Sequence, residues 1–267
     1  MTVRASLEAV KERVGRESDD GSHIGMSRAE FHEMLPQRIA DHIREAITRL
    51  QEGFQPGDRL LAARIAAEVG VSITPVREAL KILVAEGVLE SMPRRGVRVI
   101  RMSVDDIRDL SQVRASLEMA AIRLRGRLSK SEVAAMMDHL AQCEIAIDKE
   151  DMAGYRAGDS RFHNALVGAS RSPRLIALYD LLGKQARVLE LYYPDQWDSM
   201  RESLEEHRAL ARQLGKGPVD RSQRAIWQHW EHGTERFVRM LSDIGRPPHV
   251  AITAISDEPI VLSKSAT

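Results

Sequence analysis

Val71-Ser72-Ile73-Thr74-Pro75-Val76-Arg77-Glu78-Ala79-Leu80 is the stretch from which the rest of the chain is read. Ser72 is placed to cap a helix through its hydroxyl, and Pro75 falls in the first turn, where a missing N–H costs nothing. Val76, Ala79, Leu80 and Leu83 recur at helical spacing and give this helix a dry side, while Thr74, Arg77, Glu78 and Lys81 point elsewhere. Upstream, Leu60 to Val69 is a second short amphipathic run, and Gly70 permits a sharp turn between the two. Together they read as a helix-turn-helix, a pattern that many helical proteins share. Two strand-like runs, 87–92 and 97–100, flank Pro93-Arg94-Arg95-Gly96, which reads as a hairpin tip and therefore as a basic wing. Between Leu35 and Arg101 there are eleven Lys/Arg against eight Asp/Glu, in a chain balanced at 39 and 39. That local excess gathers on the helix and wing, where phosphates would lie.

The run Pro56-Gly57-Asp58-Arg59-Leu60, then Val71-Ser72, Thr74 to Leu80, Gly87 and Arg95-Gly96, resembles the winged helix-turn-helix of GntR-type transcription regulators. The resemblance implies that the start of the second helix, Ser72, Ile73 and Thr74, enters the major groove of an operator. It also implies that Arg59, Arg64 and Arg77 approach phosphates or bases, with Arg94 and Arg95 on the wing and Gly96 bringing backbone close to the minor groove. Two positions depart from the family pattern: Ile73 stands where Arg is frequent, and Ala62 where Glu is. An Ile offers apolar contact, for example to a thymine methyl, in place of an Arg fork on guanine, so a shifted operator preference is expected.

The bulk properties fit such a protein. At 267 residues the chain can hold two modest domains. Its single cysteine, Cys143, excludes an intrachain disulfide and a cysteine-based metal site, and the expected setting is reducing and cytoplasmic. No run of about 18 apolar residues suggests a membrane span. Residues 1–28 read as a disordered or loosely docked extension, with 5–14 as a possible helix, and 29–102 as the DNA-binding domain, its first helix starting near Leu35. From Ser103-Val104-Asp105-Asp106 onward the texture is helical, with helices expected over 103–127, 131–147, 152–169, 173–193, 199–214 and 220–241. The fold class is therefore mostly α with a small β wing: an N-terminal winged helix-turn-helix, then a bundle of about six helices over 103–244. Residues 245–267 read as an irregular tail with a possible extended piece at 250–255.

The resemblance continues into the bundle. Gln112 to Glu118 with Ala120-Ala121, Asp159-Ser160-Arg161-Phe162-His163, Glu206-His207 and His229 are spaced as in the helical ligand domain of the FadR branch, the type called FCD. Independently of that, Asp159 and His163 are four apart and share a helix face, so both can grip one ion. His207 and His229 lie on two other helices among apolar residues, and in a bundle all four side chains can converge. Such a set suits Zn, Ni, Fe or Mn. The same residues also allow a plainer reading, a surface Asp–His pair and hydrogen-bonded core histidines; the resemblance favours the metal. Arg114 is the candidate for pairing with an anionic effector, with an exposed Arg or an Arg114–Glu118 ion pair as the alternative. Tyr192 and Tyr193 are candidates for the same cavity or for a helix end. His232, three residues after His229, is a less suitable ligand.

The expected function is a ligand-responsive repressor or activator, a homodimer on a palindromic double-stranded operator that answers to a small organic acid. The chain is not expected to be an enzyme: it shows no nucleophile elbow and no Gly-rich phosphate loop. Two alternatives remain at this point, a metal-dependent enzyme domain and a dimerisation module with a structural metal.

Overall fold

The structure, a computed structural model, describes residues 28–48, 51–93, 95–189 and 197–243. Arg94, Tyr192, Tyr193, residues 1–27 and the tail from 244 lie outside the described residues. In chain order the elements are α1 (Arg28–Thr48), β1 (Arg59–Leu60), α2 (Ala62–Val69), α3 (Ile73–Ala85), β2 (Leu89–Met92), β3 (Gly96–Val99), α4 (Val104–Arg125), α5 (Lys130–Asp148), α6 (Met152–Gly168), α7 (Pro173–Leu189), α8 (Trp197–Lys216) and α9 (Val219–Asp243). No strand occurs among the described residues after Val99.

In the first unit, Ile39, Ile43 and Ile47 of α1 meet Val76, Ala79 and Leu83 of α3, all fully buried. Burying each of the larger side chains stabilises by about 1.5–3 kcal/mol, and this apolar face fixes the pitch of α3. Gly70 ends α2 at φ 78°, the left-handed turn expected of it. The sheet has the order β1-β3-β2 and is antiparallel, with Leu89 opposite Val99 and Met92 opposite Gly96. β1 corrects the sequence reading: Leu60 pairs with Val97 as a strand residue and does not start α2. Two residues are too few to show alternation, so only the partner strand reveals them. α1 also begins earlier than Leu35, at Arg28, with Pro36 inside it. The apolar stripe of the sequence starts at Leu35, so periodicity alone gives no earlier start.

Helices α4 to α9 form the second unit, with α4 packed against α9, α6 and α7, and α5 against α6 and α8. Local capping fixes their starts. Ser103 accepts from the N–H of Asp106 while Asp106 takes the N–H of Ser103, and Ser129 and Glu132 repeat the arrangement at α5. α7 ties the units together: Val188 near its end is buried in the core of the first unit, and Lys184 Nζ lies 2.6 Å from Glu86 Oε1 at the end of α3. No helix among the described residues is long and apolar enough to cross a membrane.

Candidate functional site

Two places in the fold collect the residues singled out by sequence. The first is the outer face of the N-terminal unit. Ser72, Thr74 and Arg77 are exposed on α3 and at its start, Arg59 on β1 is exposed and pairs with Arg98 of β3, and Arg95 and Gly96 are exposed at the hairpin tip. Arg59, Arg77 and Arg95 make no ion pair with any described residue, so their charge faces solvent. Gly96 has φ +88°, a conformation that suits glycine, and it opens the returning wing strand. The structure corrects one expectation and adds a detail to two others. Ser72 stands at the N-cap of α3, yet its side chain makes no cap hydrogen bond, leaving that hydroxyl available outward. Arg64 is already held by Glu68, at 2.8 Å, one turn away on α2. Ile73 is half-buried and packs against the core of the unit, so its outward apolar surface is smaller than that of an exposed side chain.

The second place is the interior of the bundle. α6 carries Asp159 and His163, α8 carries His207 and α9 carries His229. One ring nitrogen from each of the three histidines falls within 4.8 Å of the other two. His163 Nε2 and His207 Nε2 are 3.1 Å apart, and Asp159 Oδ1 lies 3.6 Å from His207 Nε2, at the edge of the group. His232 is exposed, away from the cluster. Two carboxylates stand behind the rings. Glu118 accepts from His163 Nδ1 at 2.8 Å, and Glu206 accepts from His229 Nδ1 at 3.2 Å while also holding Arg236. A ring whose Nδ1 is bound in this way presents Nε2 to whatever lies in front.

The electrostatics follow from this layout. Burial works against charge on His163, but the Glu118 carboxylate outweighs it and holds the imidazole above its ordinary pKa. His207 has only Asp159 beside it, at 3.6 Å; burial, reinforced by the neighbouring His229 and His163, pushes it well below the ordinary value and keeps it neutral. Glu118 is completely buried, and burial alone would raise its pKa; His163, Tyr179 and Trp230 together lower it. Glu206 is likewise held down to about 2, burial being overcome by His229 and Arg236.

Arg114 is neither exposed nor bonded to Glu118, the two alternatives read from sequence. It donates to Tyr179 Oη at 3.0 Å and lies over the rings of Trp230 and Tyr179, at 4.5 and 5.0 Å. Its Nε is buried with no hydrogen-bond partner among the described residues. Arg114, Asp159 and all three clustered histidines line one cavity of about 170 Å³ between α4, α6, α8 and α9. The arrangement offers neutral imidazole, carboxylate and guanidinium to a small anion or to a cation with an anion bound.

Sequence reasoning gave no site role to Glu118, Tyr179 and Glu206, although Glu118 and Glu206 stand in the stretches that carry the resemblance. Glu118 had a signal. Ile107, Leu110, Ala115, Glu118, Ala121 and Ile122 form one buried stripe on α4, and a carboxylate in such a stripe must have partners. Tyr179 and Glu206 had no comparable burial signal, since their partners are distant in sequence.

Comparison with known proteins gives the following. The model described as bacterial regulatory proteins, gntR family, matches residues 35–99, and that of the FCD domain matches 109–232. An HTH-type transcriptional regulator of Agrobacterium vitis is 30% identical over 172 residues, which are 63% of this chain and 92% of that protein. A probable D-xylose utilization operon transcriptional repressor of Paenarthrobacter nicotinovorans is 26% identical, with 72% of this chain and 85% of the relative covered. Among solved structures, a GntR transcriptional regulator from Rhodococcus sp. RHA1 has a TM-score of 0.64 at 24% identity, covering 76% of this chain and 97% of its own, a likeness of fold.

Proposed function

The chain belongs to the GntR family of bacterial regulatory proteins, in the branch that carries an FCD domain, and on that premise we propose that it is a metal-assisted sensor of a small organic acid. It is a transcriptional regulator whose winged helix-turn-helix binds DNA. The finer reading is that it acts as a homodimer on a palindromic operator and that an acid bound in the bundle changes its grip. Repression is the sense favoured by the name of the Paenarthrobacter relative.

The observation that carries the sensor is the convergence of three imidazoles on the cavity wall, two of them backed by buried or half-buried carboxylates. Two imidazole nitrogens bound to one ion at about 2.0–2.1 Å stand about 2.8–3.4 Å apart, depending on octahedral or tetrahedral angles. The 3.1 Å between His163 Nε2 and His207 Nε2 falls in that range. His163, His207 and His229 would hold a divalent Zn, Ni, Fe or Mn, with Asp159 at the edge as a fourth ligand. The ion would supply a Lewis-acidic anchor for a carboxylate. Arg114, with its unpaired Nε, would fix the orientation of that carboxylate, and the neutral state of His207 keeps a lone pair ready without loss of a proton.

Elemental analysis of untagged protein purified without chelator tests this. About one metal per chain is expected, lost in His207→Ala; metal-free protein whose melting ignores added Zn and Ni would overturn it. Melting the metal-loaded protein with a panel of carboxylic acids separates the alternatives: a shift without turnover marks a sensor, turnover an enzyme, and neither a dimerisation module.

A further inference from the structure

Building on the carboxylate-sensing reading above, we infer that the effector is a monocarboxylic acid with an apolar tail, and that the tail seats at the junction of the two domains. The cavity has two ends of opposite chemistry. At one end stand the histidines, Asp159 and Arg114; at the other stand Ile107, Leu110, Ala186 and Phe237. None of these four side chains can form a hydrogen bond.

Those same four belong to a separate apolar cluster with Met102, Met240 and Leu241, against which Ile100 and Leu182 pack. Ile100 and Met102 lie on the short connection between β3 and α4, the covalent link from wing to bundle. Ile100 also packs against the core of the winged unit, so the cluster touches both domains. On α4, Ile107 lies seven residues before Arg114, and on α9, Phe237 lies eight after His229. Two helical turns span about 10 Å, so both helices run from the polar end to the apolar end in step.

An acid whose carboxylate meets the histidines and Arg114 therefore lays its other end against the linker cluster. Of the polar cavity residues that adjoin these four on α4 and α9, Arg236 is held by Glu206 and Glu202 and Thr234 donates to the carbonyl of Trp230, which leaves Ser111. A second carboxylate or a row of hydroxyls there would therefore lose more water than it gains in partners. An alkyl or phenyl tail would lose nothing and would add contacts to Ile107, Leu110 and Phe237. Occupation of that end is also what the winged unit can register, because the residues that would move against the tail carry the link to β3.

The test is a homologous series, acetate to hexanoate, titrated calorimetrically into zinc-loaded full-length protein, with benzoate, succinate and glycerate alongside. Affinity should rise about fourfold per added methylene until the cavity is full, the gain expected for burying one CH₂. Benzoate should bind and succinate and glycerate should bind no better than acetate. Leu110→Asn should flatten the series, and Ala186→Val, which shortens the apolar end by its added methyls, should make the longest acids the worst. A zinc-dependent melting transition in each variant shows that it is folded. A flat series in the wild type, or succinate or glycerate bound as tightly as butyrate, would overturn the tail while leaving the carboxylate site standing. Absence of binding by every acid, acetate included, would overturn both.

Discussion

Lys184 Nζ on α7 lies 2.6 Å from Glu86 Oε1, and Glu86 is the C-terminal cap residue of α3, the helix we propose to read DNA. The other oxygen of that carboxylate is held by Arg44 of α1 at 2.7 Å. Five residues earlier on α7, Tyr179 donates to the buried Glu118 behind His163. One helix thus touches both the histidine network and the end of the reading helix, which gives coupling a rigid route.

Breaking that contact should therefore uncouple the two domains with little cost in stability. In Lys184→Met, Glu86 keeps Arg44, so unfolding stability should fall by no more than about 1 kcal/mol. The change in operator affinity on adding zinc should shrink several-fold relative to the wild type. Fluorescence anisotropy with a selected duplex, with and without zinc, measures it; an unchanged ratio would show that α7 carries no coupling.

Glu118 is the most sensitive position in the bundle. It accepts from His163, Tyr179 and Trp230 inside a dry core. Glu118→Leu leaves those donors without an acceptor and should cost about 3–5 kcal/mol in urea melts. Glu118→Gln keeps the shape and loses the charge, and zinc affinity should drop about 10–100-fold as the His163 tautomer is released. Competition with a chromogenic chelator reads the second effect.

The acid limb of stability should include Glu132. Arg125, the N–H of Ser129 and its hydroxyl hold this carboxyl at about 2, against an ordinary 4.5. A depressed carboxylate stabilises the fold above its unfolded pKa, and that contribution disappears as pH falls through the folded value. The difference between wild type and Glu132→Gln should be about 1 kcal/mol at pH 7, shrink below about pH 4.5 and vanish near pH 2. Denaturant melts across that range give the difference directly; a gap that grows with acid would contradict the assignment.

On the DNA side, Arg77 and Arg95 are exposed and unpaired among the described residues. If each meets one phosphate, Arg77→Ala and Arg95→Ala should weaken binding to all duplexes alike. Each should also reduce the slope of log affinity against log salt by about 1. A loss confined to one sequence would mean base reading in place of phosphate contact.

Ile73 should show the opposite signature. Selection from random duplexes should recover half-sites without a preference for guanine at the base facing residue 73, and Ile73→Arg should introduce that guanine with about 1–3 kcal/mol of discrimination. Because Ile73 also packs on the core, the variant needs a melting control; a guanine already preferred by the wild type would end the idea.

The sequence by itself determined what depends on neighbours within a few residues. Ser103 with Asp106, Ser129 with Glu132 and Gly70 at its left-handed turn each set a boundary through bonds closed inside one turn of chain. The pairing of Asp159 with His163 on one helix face is of the same kind. Only the tertiary structure decided which distant groups meet. Glu118 reaches partners 45, 61 and 112 residues away, Leu60 becomes a strand only against Val97, and Arg114 turns from its neighbour Glu118 toward Tyr179 and Trp230. The physical reason is range: a capping bond is formed by the helix that needs it, whereas a buried carboxylate is placed by packing its whole helix and then takes whichever donors the other helices bring.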